Sequence, residues 1–175
     1  MADVLPSFDE VRQLIGSPKP PLGCRVVELR EGEVQRSARV LFDGLASWFV
    51  DDGSRVEVRG THDRALFDEG GRLERVGPGL GNVHSNGWVK TVIDGRRMAN
   101  LDKATGRVLG REVIDGRNRI LVECSGLKSN DDVVFRMHID AETGVVVRVS
   151  RPDLGLVLRV EDLRIGTAQE QGREG

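Results

Sequence analysis

The sequence contains no tyrosine, two tryptophans and five phenylalanines in 175 residues. A core made from it must be aliphatic, and any pocket must be walled by branched side chains with few large pieces among them. Cysteine is equally scarce. Cys24 and Cys124 stand far apart, in no C-x-x-C spacing, each inside an apolar stretch. They read as small buried hydrophobes, and the spacing gives no support to a disulfide between them. No apolar run is long enough for a transmembrane helix, and the first residues lack the charged and apolar regions of a signal peptide. The expectation from these absences is a cytoplasmic protein. Charge of one sign is missing too: 26 Lys and Arg are interleaved with 28 Asp and Glu, for a net charge of −2. Without a basic surplus to displace counterions from phosphates, a nucleic-acid partner is not expected.

Catalytic signatures are also missing. There is no Gly-x-Ser-x-Gly elbow, and Cys124 lies in an alternating strand pattern that implies burial rather than nucleophilic work. The glycines at 77, 79 and 81 suggest a phosphate cradle, but no Lys-Ser/Thr follows and residues 82–88 do not read as the helix such a loop needs. His62, His84, His138 and the two cysteines share no metal-ligand spacing, so neither a metal nor a cofactor is expected. His62 beside Asp63 reads as a surface pair, and His138 falls on the wet face of its strand. The pairs Asp51-Asp52 and Asp131-Asp132 flank turns, where carboxylates accept from backbone amides.

What is present is mostly β. One helix is signposted near the start: Ser7 and Glu10 make a capping box, Phe8, Val11, Leu14 and Ile15 share a face, and Gly16 with Pro18 stops it. From Cys24 onward the period changes to two. Strands are expected over residues 26–30, 34–42, 47–50, 55–59, 107–114, 119–124, 133–139, 145–150 and 156–161. Val34, Arg36, Ala38, Val40 and Phe42 share one face, as do Val133, Phe135, Met137 and Ile139. Turn signals separate the runs at Glu31-Gly32, Asp43-Gly44, Asp52-Gly53, Gly70-Gly71 and Asp115-Gly116. Residues 77–87 read as a long loop with room for a short turn of helix, and Trp88 at its end is placed either as a lid or as a core anchor. Residues 167–175 read as a disordered polar tail after a single domain over 1–166.

Two short echoes stand out. Val92-Ile93-Asp94-Gly95-Arg96 recurs as Val113-Ile114-Asp115-Gly116-Arg117, and Asp102-Lys103-Ala104-Thr105-Gly106 is echoed by Asp140-Ala141-Glu142-Thr143-Gly144. Their spacings differ, so they are not a repeat architecture, and both read as hairpin chemistry used twice. About nine to eleven strands after one helix, with no helical crossovers between them, imply one large curved antiparallel sheet or a barrel, a mainly β (α+β) fold.

The stretches Arg39-Val-Leu-Phe-Asp-Gly-Leu-Ala-Ser-Trp-Phe-Val, Gly110-Arg-Glu-Val-Ile-Asp-Gly-Arg and Met137-His-Ile-Asp-Ala-Glu-Thr-Gly, in that order after a capped helix, resemble the LolA/LolB-like superfamily. That group takes in lipoprotein carriers, LppX-type lipoproteins and the sensor domain of RseB-type regulators. The resemblance implies an unclosed half-barrel, with its hollow covered by helices or loops, that holds acyl chains or apolar peptides. The chain departs from the carriers in lacking a secretion signal and a lipobox cysteine, and in showing only one clear helix. The leading expectation is a non-catalytic binding protein for a hydrophobic small molecule, lipid or apolar peptide. Its lining would include Phe42, Trp48, Trp88, Phe135 and Met137. A regulatory module that binds a protein partner is the first alternative. A cofactor-free enzyme with His84, Arg96 or Glu112 in the hollow is the second.

Overall fold

The computed structural model describes residues 4–44, 48–54, 56–59, 64–67, 72–76, 87–95, 98, 100–127 and 133–166. The turn at Gly70-Gly71, the acidic pair Asp131-Asp132, His62, His84, Arg96, residues 77–86 and the tail 167–175 lie outside them.

The helix α1 (Phe8–Gly16) begins as its sequence dictates. Glu10 N–H donates to Ser7 Oγ at 3.3 Å, and Ser7 N–H donates back to Glu10 Oε2 at 2.7 Å. Its end is held differently from the expected glycine stop. Lys19 is 2% exposed, and its ammonium donates to the carbonyls of Leu14, Ile15 and Ser17 at 3.1, 2.8 and 2.8 Å. A positive charge there satisfies orphan carbonyls and meets the negative end of the helix dipole.

Eleven strands follow among the described residues: β1 (Leu22–Arg30), β2 (Glu33–Phe42), β3 (Trp48–Asp51), β4 (Val56–Arg59), β5 (Arg64–Phe67), β6 (Leu73–Val76), β7 (Thr105–Ile114), β8 (Arg117–Ser125), β9 (Phe135–Asp140), β10 (Val146–Arg151) and β11 (Leu156–Ile165). They form one antiparallel sheet in the order β6-β5-β4-β3-β2-β1-β11-β10-β9-β8-β7. β6 and β7 end the sheet without meeting, so the barrel is not closed. Each half is a meander, and the two are sewn together by β1 against β11, the first strand against the last. β5 and β6 carry no alternation strong enough to be read from sequence.

The tight hairpins follow from turn chemistry. Glu31 and Gly32 have φ of 53° and 88°, and Asp115 and Gly116 have φ of 54° and 72°. Two successive left-handed residues twist the chain to match the right-handed twist of the strands it joins. The echoes, by contrast, are not hairpin chemistry used twice. Val92 and Ile93 belong to a second helix, α2 (Gly87–Ile93), whereas Val113 and Ile114 belong to β7. Asp102 and Lys103 lie in a 3-10 turn ahead of β7, whereas Ala141–Gly144 turns β9 into β10. The second helix also corrects the reading of residues around Trp88 as loop.

One face of the sheet is dry. Leu22, Cys24 and Val26 on β1 stand opposite Phe42, Val40 and Ala38 on β2, and Phe42 and Val40 stand opposite Trp48 and Val50 on β3. In the other half Ile120, Val122 and Cys124 on β8 face Ile139, Met137 and Phe135 on β9. All are buried. Both cysteines are free, and burial pushes the Cys24 thiol up to about 12 and the Cys124 thiol up to about 11, so both remain protonated and inert.

Candidate ligand- or partner-binding face

Among the described residues the dry inner face has no second sheet over it. Two short helices cover it instead. Val11 and Ile15 of α1 join the cluster of β8 and β9, and Val89, Val92 and Ile93 of α2 join the cluster of β1, β2 and β3. The covers touch one another at Gly95. A Cβ built there would lie 2.0 Å from Ile15 Cγ2 and 2.7 Å from the Ile15 carbonyl oxygen, so only glycine permits the approach. Burial of each of these aliphatic side chains contributes about 1.5–3 kcal/mol. That is ample reason for the helices to stay down while nothing else occupies the face.

The five residues expected to line a hollow fall in two places. Phe42 and Trp48 stack at 4.3 Å between ring centroids, under α2. Phe135 and Met137 lie under α1, in the other cluster. Trp88 opens α2 half-buried at the rim, with the guanidinium of Arg36 lying 4.2 Å above its ring centroid and paired to Glu28 at 2.7 Å. Trp88 is therefore neither a loop lid nor a central anchor. It is an edge contact of the cover, held by a cation–π stack.

Sequence reasoning missed the residues of the cover itself. Val89, Val92 and Ile93 have the i, i+3, i+4 spacing of a buried helix face, but seven residues rich in β-branched side chains do not announce a helix.

An open groove of about 640 Å³ leads to the inner face between α1 and the end of the β7–β8 hairpin, lined by Val11, Leu14, Arg111, Val113, Ile120 and Ala141 among others. Val11 and Ile120 are core residues, whereas Val113 is 67% exposed. The groove therefore grades from solvent into the core past a polar rim of Glu10, Arg111, Glu112 and Asn118. A second depression, of about 690 Å³, lies on the opposite face over Gly23, with Arg25, Arg39 and Arg164 set against Asp51, Asp52 and Asp162.

That outer face is polar and laced with ion pairs. Glu123 takes Arg107 at 3.0 Å and Arg136 at 3.1 Å. Glu112, expected as an inward catalytic acid, is also here. Its neighbour across the strand is Arg119, and its Oε1 lies 2.5 Å from His138 Nδ1. The reason is a bulge between Val108 and Gly110, which shifts the inner positions of β7 to Arg111 and Val113. His138 is on the outer face, as its alternation implied, yet half-buried. Burial lowers its pKa, Glu112 partly restores it, and Arg148 and Arg119 oppose the charge again. The other proposed catalytic residues, His84 and Arg96, lie outside the described residues.

The two motifs behind the resemblance meet in space. Arg117 of the Asp-Gly-Arg turn grips Asp140 of the Asp-Ala-Glu-Thr-Gly turn with Nε at 2.6 Å and Nη2 at 3.0 Å. Thr143 adds its N–H at 2.9 Å and its hydroxyl at 2.7 Å to the same carboxylate. Asp51 and Asp52 likewise accept from the amides of Gly53 and Ser54, each at 2.9 Å. These acids organise turns.

No family model matches the sequence, and no curated protein matches it. Solved structures do. MucB aligns over 96% of this chain and 62% of its own, with a TM-score of 0.57 at 16% identity. The MucA/MucB complex of Pseudomonas aeruginosa aligns over 96% of this chain and 59% of that one, with a TM-score of 0.49 at 15% identity. LppX of Mycobacterium tuberculosis aligns over 89% and 92%, with a TM-score of 0.48 at 15% identity. The chain thus spans less than two thirds of the length of MucB. The likeness to MucB thus gives this chain a MucB-like fold, an open antiparallel sheet.

Proposed function

We propose that this chain is a binding protein that holds an apolar body, a lipid, an acyl chain or an apolar peptide, against the inner face of the half-barrel. The observation that carries the reading is the cover. A continuous aliphatic face spanning β3 to β8 is roofed by one nine-residue and one seven-residue helix rather than by a second sheet. A ligand that replaces either roof keeps the face dry, so the exchange costs little net burial. The groove beside Val113 supplies the approach. The proposed lining is Phe42 and Trp48 on the α2 side, with Trp88 of α2 at the rim, and Phe135 and Met137 on the α1 side.

The test uses the only two tryptophans, both of which touch the α2 side of the face. Incubation with a mixed lipid extract followed by native mass spectrometry should recover a one-to-one adduct, and palmitate should shift tryptophan emission. A chain that emerges bare, with emission unmoved, rules the reading out.

A second reading, a regulatory module that binds a protein, is favoured by the likeness to MucB, which has been solved with MucA. It expects one partner in stoichiometric association, weakened by Val113→Asp at the groove mouth. A partner that binds the variant equally well counts against it.

A further inference from the structure

Val92-Ile93-Asp94-Gly95-Arg96 and Val113-Ile114-Asp115-Gly116-Arg117 are the same five residues. The first copy closes a helix and the second closes a strand. Local preference sides with the strand. Of the seven residues in α2, Trp88, Val89, Thr91, Val92 and Ile93 are aromatic or β-branched, and Gly87 is a poor helix former. A helix of this length does not stand without tertiary packing. What holds it is the burial of Val89, Val92 and Ile93, at 0%, 3% and 0% exposure, against the inner face. Sequence and fold disagree here, and such disagreement concentrates where a protein keeps two options.

The sheet offers the other option. β1 to β6 form a consecutive meander, each strand beside the one before it. The meander stops at β6, which among the described residues is paired only with β5, and α2 is the next described element of the chain. By the logic of the preceding turns, a further strand belongs on that edge.

We propose that residues 87–93 are a helix–strand switch: a helix while their aliphatic side chains cover the inner face, and a twelfth strand antiparallel to β6 once an apolar ligand replaces them there. The trigger rests on the ligand reading above, whereas the existence of the second state does not. A bound apolar body takes away the burial of Val89, Val92 and Ile93 that favours the helix. The freed segment then meets an edge that, among the described residues, has no strand beside it. The coupling is reciprocal, so a stronger helix weakens binding.

Chemical-exchange saturation transfer by NMR on the ligand-free protein reads this directly. A minor state with strand-like carbon shifts is expected at residues 87–93 and absent from β8 and β9. Thr91→Ala, which favours the helix, should lower its population about threefold, and Lys90→Val should raise it by a similar factor. Palmitate should make the strand-like state the major one. No exchange at these residues, a minor state with coil-like shifts, or a population indifferent to both substitutions overturns the switch. Palmitate that binds while the helix persists overturns the coupling. Palmitate that fails to bind, with the minor state present and responsive, overturns the ligand reading and supports the switch.

Discussion

Asp140 ties together two turns that lie in separate hairpins, and it does so from a position only 1% exposed. Burial alone would raise its carboxyl, but Arg117 and Thr143 together outweigh burial and hold it below the usual carboxylate range. Arg117→Ala leaves that charge buried with only the Thr143 donors, and should cost about 3 kcal/mol in urea unfolding at neutral pH. Because the folded carboxyl is harder to protonate than the unfolded one, its contribution is complete above about pH 4 and is lost as pH falls through the lowered folded value. The gap between wild type and Arg117→Ala should therefore close on acidification, which acid-unfolding curves of the two proteins would show. His138 acts in a different window. Burial, only partly offset by Glu112, makes the folded imidazole harder to protonate than the unfolded one. Stability linked to it is whole above about pH 6.5 and falls as the unfolded chain takes up its proton first. His138→Leu should flatten the melting temperature between pH 7.5 and 5, and an unchanged slope would assign that dependence elsewhere.

At the scale of elements, α1 depends on one buried side chain. Lys19→Met keeps the aliphatic stem but removes three donors from the last carbonyls of the helix. A loss of about 2–3 kcal/mol is expected at roughly 1 kcal/mol per bond, measurable by denaturant titration. The sheet edge at β7 is managed rather than closed. Its bulge and the inward-facing Arg111, opposite Ile120, are the devices that keep a ten-residue edge strand from pairing with another chain. Arg111→Val should produce concentration-dependent association by light scattering, with the fold retained. Much of this element plan was legible in the sequence. Ser7 and Glu10 mark a helix start, Glu31-Gly32 and Asp115-Gly116 mark hairpins, and the alternation through Val40, Phe42, Met137 and Ile139 marks the dry face. These signals are local, carried by residues within one turn of each other. Lys19, Arg117 and α2 were not legible because their roles are set by distant partners: carbonyls already in place, a carboxylate on the neighbouring strand 23 residues on, and an inner face that needs a roof. The same pentapeptide in α2 and β7 makes the point most sharply, since nothing within those five residues separates the outcomes.

At the scale of the molecule, β1 is the seam. Its first neighbour, β2, follows at once in the chain, whereas its second, β11, is made last. Closing a loop that long is entropically slow, so neither half can complete its packing until residue 165 is available, and folding in milliseconds to seconds is expected from this topology. The candidate ligand face shares that dependence. Its wall runs unbroken from Trp48 on one side of the seam to Val122 on the other, so removing β11 should abolish both halves of the site together. One feature of the seam reaches further. Leu22 and Ile165 are register partners, so the points at which the backbone enters and leaves the sheet stand side by side. A circular permutant that links the residues after Ile165 back to those ahead of α1, so that the helix is kept, and reopens the chain at Asp115-Gly116 should retain the fold, whereas one joined directly at Leu22 should melt well below the parent because it strips Val11 and Ile15 from the inner face. A graft of the domain into a surface loop of a host protein must carry that helix with it for the same reason.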